Sequence, residues 1–505
     1  MNKAITSTLP MVLLTALILL LISSCYGLYE PDPAVPLIAD VAVTGDTASE
    51  LKLSVSWQGV QDAGGYNIYR SENGGPFLYI GSTAPGQSTF IDAGEELELG
   101  ASYRYRVSAY GLWHTKESEL SPASSPVDYF LQPQWETILA RTADSPVAVK
   151  IAATPQGTLF FLYADSAGAL HAGRIVEEED PEDEDETIFT VQDMPAAIAS
   201  AVDPADPDFD IIVSGGALYV GYADYESGSP DSGKLTVREI TVESDEDDDE
   251  LLIWEERLIG SRWFSEYPVS SVSLAAEGFG TGTTLYAGYI RETAAVDTVL
   301  AVRSKLLSTT SGSGWGDLSP EKSAYPSDTP EYARILLEDQ SLAIAYSSAV
   351  DGLHMLSRIS SGAGFEWVAT DTALPAVDPL QEHFSIAVNA VSLSVFGFET
   401  GDTWNLQLRR DDAWRKISDD TGFSTLSAGI VAPFSAAAST TRSYLLADNG
   451  NGPAVLMYDF DISKWFSYGS PGTAVPFSSP SLKVSGNTLY TAWIGDGNLS
   501  IAAGR

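Results

Sequence analysis

Seven diverged copies of one segment, spread over residues 134–505, constrain the fold of this chain more than any other feature. Residues 159–165 (LFFLYAD), 218–224 (LYVGYAD) and 285–291 (LYAGYIR) are versions of one apolar strand, and further copies occupy 342–346, 393–398, 443–448 and 489–493. An apolar strand precedes each copy. After a polar or glycine-bearing turn a third follows, at 170–174, 235–238, 299–303, 353–358 and 406–409 in five copies. A tryptophan marks a fourth strand in most units: Trp254, Trp315, Trp367, Trp414 and Trp465, with residues 187–192 serving the first. The seventh copy ends at Arg505 without a fourth strand, while Trp135-Glu136-Thr137-Ile138-Leu139 stands ahead of the first copy with no unit of its own.

A ring accounts for both the deficit and the surplus, because the leading strand would complete the last sheet and remove its open edge. The expected fold is therefore all-β, a seven-bladed β-propeller over residues 134–505. In such a ring Tyr163, Tyr222, Tyr289, Tyr346 and Trp493 pack between neighbouring blades. The links between second and third strands share one face and carry Asp165, Asp224, Asp231, Asp297, Asp351, Glu399, Asp402, Asp448 and Asp496. Seven of these, Asp165, Asp224, Asp297, Asp351, Asp402, Asp448 and Asp496, form the candidate ligand or cation face. Asp is also what tight turns demand, so the same residues read equally as turn formers.

Ahead of the repeats, residues 36–130 carry short alternating strands. Leu51, Leu53, Val55 and Trp57 point one way and Lys52, Ser54 and Ser56 the other. Tyr66-Asn67-Ile68-Tyr69-Arg70, the turn Asn73-Gly74-Gly75-Pro76 and the strand beginning at Tyr103 follow. With Trp57, Tyr66 and Leu97-Glu98-Leu99-Gly100-Ala101-Ser102-Tyr103, this region resembles a fibronectin type III domain, Leu99 and Ala101 replacing the family's Pro and Thr. The resemblance implies an immunoglobulin-like sandwich, with Tyr103 as its tyrosine corner and Trp57 in its core.

The amino terminus reads as an export signal: Lys3, an apolar run, then small residues before Cys25. Leu21-Ile22-Ser23-Ser24-Cys25 resembles the bacterial lipobox, and Cys25 is the only cysteine of the chain. The resemblance implies a signal peptide over residues 1–24, lipid on Cys25, a Pro-containing tether over 25–35, and an extracytoplasmic protein anchored to the cell envelope, at the outer membrane under the enteric sorting rule.

Charge and chemistry narrow the function. The net charge of -42 repels nucleic acid, and one cysteine excludes a disulfide scaffold or Cys-rich metal site. Two acidic runs, 177–186 with nine acids and 243–250 with seven, lack the spacing of a calcium loop and read as solvated loops. No cofactor is implied beyond weakly held Ca²⁺. The four histidines fall in separate units, no G-x-S-x-G elbow occurs, and no phosphate loop is present, so no catalytic residue is assigned. Residues 360–367 and 308–315 are similar to the sialidase Asp-box S-x-D-x-G-x-x-W, but Gly362 and Thr310 stand at its Asp, which implies related architecture and not activity. Arg174, Arg238, Arg303, Arg358 and Arg409, near the ends of third strands, are expected to pair with the acidic runs. The expected function is non-catalytic binding of a protein or glycan partner. A polysaccharide-processing glycosidase or lyase with paired carboxylates, and an envelope assembly scaffold, are the alternatives.

Overall fold

The computed structural model describes residues 32–505 except 45–50, 94–96, 99, 112–115, 131–132, 143, 181–182, 199–201, 226–232, 245–251, 263, 279–281, 294–296, 308–313, 326–328, 339–340, 349–351, 362–363, 370–384, 389–393, 401–402, 411–412, 421–422, 424–430, 440, 461–462 and 473–476. Cys25 and the stretch expected to be an export signal lie outside the described residues. The chain divides into two units, Met1–Gln132 and Pro133–Arg505.

The first unit is a sandwich. One sheet joins Leu37–Thr44, Lys52–Gln58 and Thr89–Asp92; the other joins Leu78–Thr83, Ala63–Glu72, Ser102–Gly111 and Val127–Asp128. Alternation along Lys52–Gln58 buries Leu53, Val55 and Trp57 against Tyr66, Ile68, Tyr105 and Val107 of the facing sheet. Trp57 meets Tyr66 edge-on with ring centroids 5.1 Å apart. Tyr103 accepts the Glu98 N–H at 2.9 Å, five residues upstream, which is the tyrosine-corner geometry. Sequence reading missed one polar element inside this core. Arg70 reaches both carboxylate oxygens of Asp92 at 3.1 and 3.2 Å, and Tyr105 donates its hydroxyl to Asp92 at 2.8 Å.

The second unit contains seven four-stranded antiparallel sheets. Six are built from consecutive strands. The seventh joins Phe477–Ser485, Thr488–Gly495 and Asn498–Gly504 to Trp135–Arg141. Glu136 lies opposite Ala503 and Trp135 opposite Gly504, and Gln134 and Arg505 exchange backbone bonds of 2.9 and 3.2 Å. The first strands of the blades are Pro146–Ala153, Phe209–Ser214, Val269–Glu277, Pro330–Glu338, Ser385–Val388, Val431–Ala438 and Phe477–Ser485. Each abuts the next, and the seventh abuts the first, so the sheets form a closed ring with the first strands innermost.

Burial between the blades follows the repeat. Tyr163 packs with Ile494 and Leu499 of the last blade, Tyr222 with Leu162 of the first, Tyr289 with Leu235 of the second, and Tyr346 with Ile290 of the third. The fourth-strand tryptophans add a directional contact. Trp135, Trp315, Trp367 and Trp465 donate their indole N–H to the carbonyls of Tyr468, Ile259, Leu318 and Ile417, each in the preceding blade, at 2.6–3.0 Å. Each such bond contributes about 1 kcal/mol net. The approach requires bare backbone: a Cβ on Gly260 or Gly469, both at positive φ, would lie 2.9 Å from the Trp315 or Trp135 indole nitrogen.

Two expectations about charge are corrected. The run 177–186 is not a loop, since strands Leu170–Asp180 and Asp183–Asp193 carry it as an extended hairpin. Pairing with residues 187–193 continues the blade's register outward, and Thr187 and Thr190 hydroxyls bond Glu177 and Glu178. Among the described residues four of the third-strand arginines meet the fourth strand, and Arg174 also lies in the field of Glu178 of the first acidic run. Arg174 bonds Gln192, Arg238 pairs with Glu256, Arg303 pairs with Asp317 at 3.0 Å, and Arg358 lies over the Phe365 ring at 4.0 Å. The side chain of Arg409, like Asp245 to Glu250 of the second run, is outside the described residues.

Two measurements check these contacts. Opposed positions on adjacent antiparallel strands stand about 4.5–5.5 Å apart at Cα, within disulfide range. A Glu136→Cys/Ala503→Cys protein in a Cys25→Ser background is therefore expected to form an intramolecular crosslink on oxidation, seen as a mobility change reversed by reductant. A chain that oxidises only between molecules would contradict the closed ring. In the sandwich, Asp92→Ala strands a buried guanidinium and is expected to cost about 3–5 kcal/mol in denaturant unfolding of that unit.

Candidate functional site at the propeller axis

Of the seven carboxylates of the expected ligand or cation face, three have partners among the described residues. Asp165 is consumed by its own turn: Oδ1 accepts the Ala167 and Ala169 amides at 2.9 and 2.8 Å, and Oδ2 meets His171 Nε2 at 2.9 Å. Burial would raise its pKa, but the His171 bond and the two amides outweigh burial and hold the carboxyl below its ordinary value. Asp224, 1 % exposed, takes Arg262 bidentately at 2.7 and 3.1 Å. Asp448 accepts the Gly450 and Gly452 amides at 2.8 and 3.3 Å. Asp297 receives the Thr293 N–H on its backbone carbonyl, and Asp496 sits in a turn at φ +51 before Gly497. Asp231, Asp351 and Asp402 lie outside the described residues, as does the side chain of Glu399. At Asp165 and Asp448 the turn reading holds, because a short carboxylate that satisfies loop amides is already committed. Among the described residues no group of three or more His, Cys, Asp or Glu is placed to hold a metal ion. His171 and His354 stack on Tyr163 and Tyr346 at 4.9 and 5.1 Å, the same place in two blades.

The polar chemistry gathers instead on the innermost strands. An innermost strand has one edge without a neighbouring strand, and its N–H groups need acceptors. Side chains two residues apart on one blade supply them to the next. Val149 and Ile151 donate to Ser479 and Ser481 at 2.9 and 3.0 Å, Ala333 and Ile335 to Ser271 and Ser273 at 2.7 and 3.2 Å, and Ala436 to Ser385 at 2.8 Å. Ser271 and Ser479 adopt left-handed φ values of 57° and 48° at β-bulges, which re-aim their hydroxyls toward the neighbour. In the second blade carboxylates take this role: Val272 and Leu274 donate to Asp208 and Asp210, both at 2.9 Å. The signal was present in the sequence as Ser-x-Ser or Asp-x-Asp at the start of a first strand.

A serine hydroxyl already serves as the cap, so the carboxylates bring oxygen and charge beyond it. Oδ2 of Asp208 is buried without a hydrogen-bond partner among the described residues. Lys150 from the first blade, Tyr332 and Arg334 from the fourth, and the carboxylates of Asp206 and Asp210 lie within its electrostatic range or share it with Lys150 and Tyr332. Arg334 donates to the carbonyls of Val272 and Ala333 at 3.3 and 3.2 Å, bonds the Tyr332 hydroxyl, and lies 4.3 Å from that ring's centroid. Lys150, Asp208, Tyr332 and Arg334 are each half-buried. Burial pushes Asp208 up to about 6, against the pull of the Val272 amide and Arg334. Burial, reinforced by Arg334, brings Lys150 down to about 8. Tyr225, 37 % exposed, rests on Gly233, where a Cβ would stand 3.1 Å from the phenol ring. Burial raises its pKa, and the carboxylates of Asp208, Asp203, Asp206 and Glu292 raise it further.

The pKa displacements set a pH test. The fold favours protonated Asp208, so that contribution to stability is full below about pH 3.8 and is lost as pH rises through about 6. It favours neutral Lys150, a contribution present above about pH 10.5 and lost as pH falls through about 8. Between these two values both residues are charged at a cost. Asp208→Asn keeps the oxygen that accepts the Val272 amide and removes the charge. It is expected to melt with the parent at pH 4 and about 2–4 °C above it at pH 7.5; an unchanged Tm at both would contradict a strained carboxylate.

No family model matches the chain, and no curated protein matches it. Solved structures do. A fibronectin-III-like protein from Clostridium thermocellum is 24% identical over 21% of this chain and 100% of its own, with TM-score 0.17. A Trypanosoma rangeli sialidase mutant displaying trans-sialidase activity is 12% identical over 66% of this chain and 58% of its own, with TM-score 0.37. A Penicillium chrysogenum alpha-L-arabinanase complexed with arabinobiose is 10% identical over 74% of this chain and 98% of its own, again with TM-score 0.37. The all-β architecture stands on the chain's own strand pairing, seven four-stranded sheets closed between the two ends of the repeat region.

Proposed function

We propose that this protein is an extracytoplasmic protein, lipid-anchored through Cys25, whose propeller takes a saccharide at its axis. The observation that carries the saccharide reading is a buried carboxyl group with an uncommitted oxygen, Asp208, in electrostatic range of an exposed aromatic ring, Tyr225. Sugars present axial C–H faces that stack on an aromatic ring and hydroxyls that bond carboxylates. Lys150, Arg334 and Tyr332 supply further polar contacts in the same enclosure. The anchor is supported by the order of the residues before Cys25 alone.

A second reading is hydrolysis of the bound saccharide, and one observation favours it. Asp208 is held at about 6, where a carboxyl group still carries a proton close to neutral pH and can protonate a leaving oxygen. Asp210, two residues on, accepts the Leu274 amide as Asp208 accepts that of Val272, which supplies a second carboxyl group next to the first. Binding and hydrolysis part on one variant, since Asp208→Asn keeps a polar contact and loses the proton.

A glycan array probed with the full chain is expected to show saccharide binding, and Tyr225→Ala to weaken it at least tenfold. Release of reducing ends that stops in Asp208→Asn while binding persists would establish the hydrolytic reading. Binding to envelope proteins with silence on every glycan would contradict the saccharide site. For the anchor, labelled palmitate is expected to enter the parent protein and not Cys25→Ser; equal incorporation in both would remove it.

A further inference from the structure

The larger sheet of the sandwich has an outer face whose side chains are fixed by one another. Tyr69 of Ala63–Glu72 lies opposite Tyr79 of Leu78–Thr83 on one side and opposite Arg106 of Ser102–Gly111 on the other, so the three form one row across the strands. The adjacent Arg70 and Tyr105 are buried, and alternation sends the row outward. Tyr79 is 57 % exposed. Its ring meets Tyr69 edge to face with centroids 5.8 Å apart, which occupies at most one face of the Tyr79 ring. The Tyr69 hydroxyl donates to Glu117 Oε1 at 3.1 Å, the Asn67 amide to the same oxygen at 2.8 Å, and the Ser108 hydroxyl adds a third bond. All three fall on Oε1; Oε2 of this exposed residue takes none among the described residues. Arg106 lies over the Phe77 ring, 4.7 Å from its centroid, and its buried Nε has no hydrogen-bond partner among the described residues. A buried donor left unbonded lowers stability and calls for a use outside the fold.

We infer that this face of the sandwich is a saccharide-binding site of its own, taking a neutral glycan that stacks on Tyr79 and bonds Glu117 and Arg106 through its hydroxyls. It does not depend on the axial reading, because every contact it uses lies within the first unit. A sugar hydroxyl both donates and accepts, whereas a carboxylate only accepts and a guanidinium only donates, so the pair meets both needs. A tyrosine ring seated on a second one offers stacking area with few rotamers left to lose. Charge selects the class. One guanidinium and one carboxylate cancel on this face, so a ligand without net charge meets it freely, while the chain's net charge of -42 opposes an acidic polymer or an anionic lipid surface. Leu78–Thr83 is an edge strand, so a glycan chain can run on past Tyr79 without meeting a further strand. A protein strand added to that edge would pair with its backbone and leave Glu117 and Arg106 unused.

The test is affinity electrophoresis of the full chain through gels carrying laminarin, glucomannan or xyloglucan, with polygalacturonate as the acidic comparison. A Tyr225→Ala background removes the axial ring, so retardation that remains reports on the sandwich. At least one neutral polysaccharide is expected to retard Tyr225→Ala, and Tyr79→Ala in that background to weaken the apparent Kd at least tenfold. Arg106→Met, which keeps the stem over Phe77 and removes the donors, and Glu117→Gln, which keeps Oε1 and turns the free acceptor into a donor, are each expected to weaken it as well. Melting curves confirm that the variants fold. Retardation abolished by Tyr225→Ala alone, or indifferent to Tyr79→Ala, overturns the sandwich site and leaves the axial one standing. Retardation by polygalacturonate alone overturns the neutral class. Silence in every gel, with an envelope protein captured by the parent and lost by Tyr79→Ala, overturns the glycan in favour of a protein; silence throughout overturns the site.

Discussion

An unpaired sheet edge is the constraint on which the propeller depends. Seven four-stranded sheets have fourteen edges between them, and every buried N–H on an edge must find an acceptor. The terminal blade would expose its third strand if the chain were simply linear. Borrowing Trp135–Arg141 from the opposite end of the unit removes that edge and ties the two ends together across residues 135 and 504. The inner edges cannot be removed in this way, because no further strand fits at the axis. Hydroxyls and carboxylates from the preceding blade cap them instead, so the same residues that satisfy the backbone also line the channel. A polar axis is thus a consequence of closing the ring, and a site placed there uses groups the fold already requires.

The repeats, the orphan strand and the interblade aromatics were legible because they are apolar and periodic, the features that burial imposes on sequence. Trp57, Tyr103 and the second-strand tyrosines Tyr163, Tyr222, Tyr289 and Tyr346 were legible for the same reason. The axis was not legible. Ser479, Ser481, Asp208 and Asp210 are small and polar, and two-residue spacing at a strand start resembles any loop-to-strand junction until the neighbouring blade is present. Asp165, Asp224 and Asp448 recur after copied strands, but turn amides engage Asp165 and Asp448 and Arg262 engages Asp224, partners that the recurrence does not disclose. The acidic hairpin misled in the opposite direction. Its strand character comes from the pairing begun between residues 173 and 193 and extended outward, which no local pattern in a run of nine acids discloses.

The substitution of Asp for Ser in one blade separates structure from function at the axis. If capping were the only requirement, a hydroxyl would meet it without burying charge, as it does in the third and seventh blades. Asp208 instead retains a buried oxygen without a partner, and burial holds its pKa at about 6. Lys150 lies in the same enclosure with its own charge disfavoured by burial. Both groups lower stability near neutral pH and neither is needed to close the ring. Local destabilisation of this sort persists in folded proteins where a ligand or a reaction uses the group. The closed ring supplies the rigidity that tolerates it, since each first strand is held on one side by its own sheet and on the other by the blade before it.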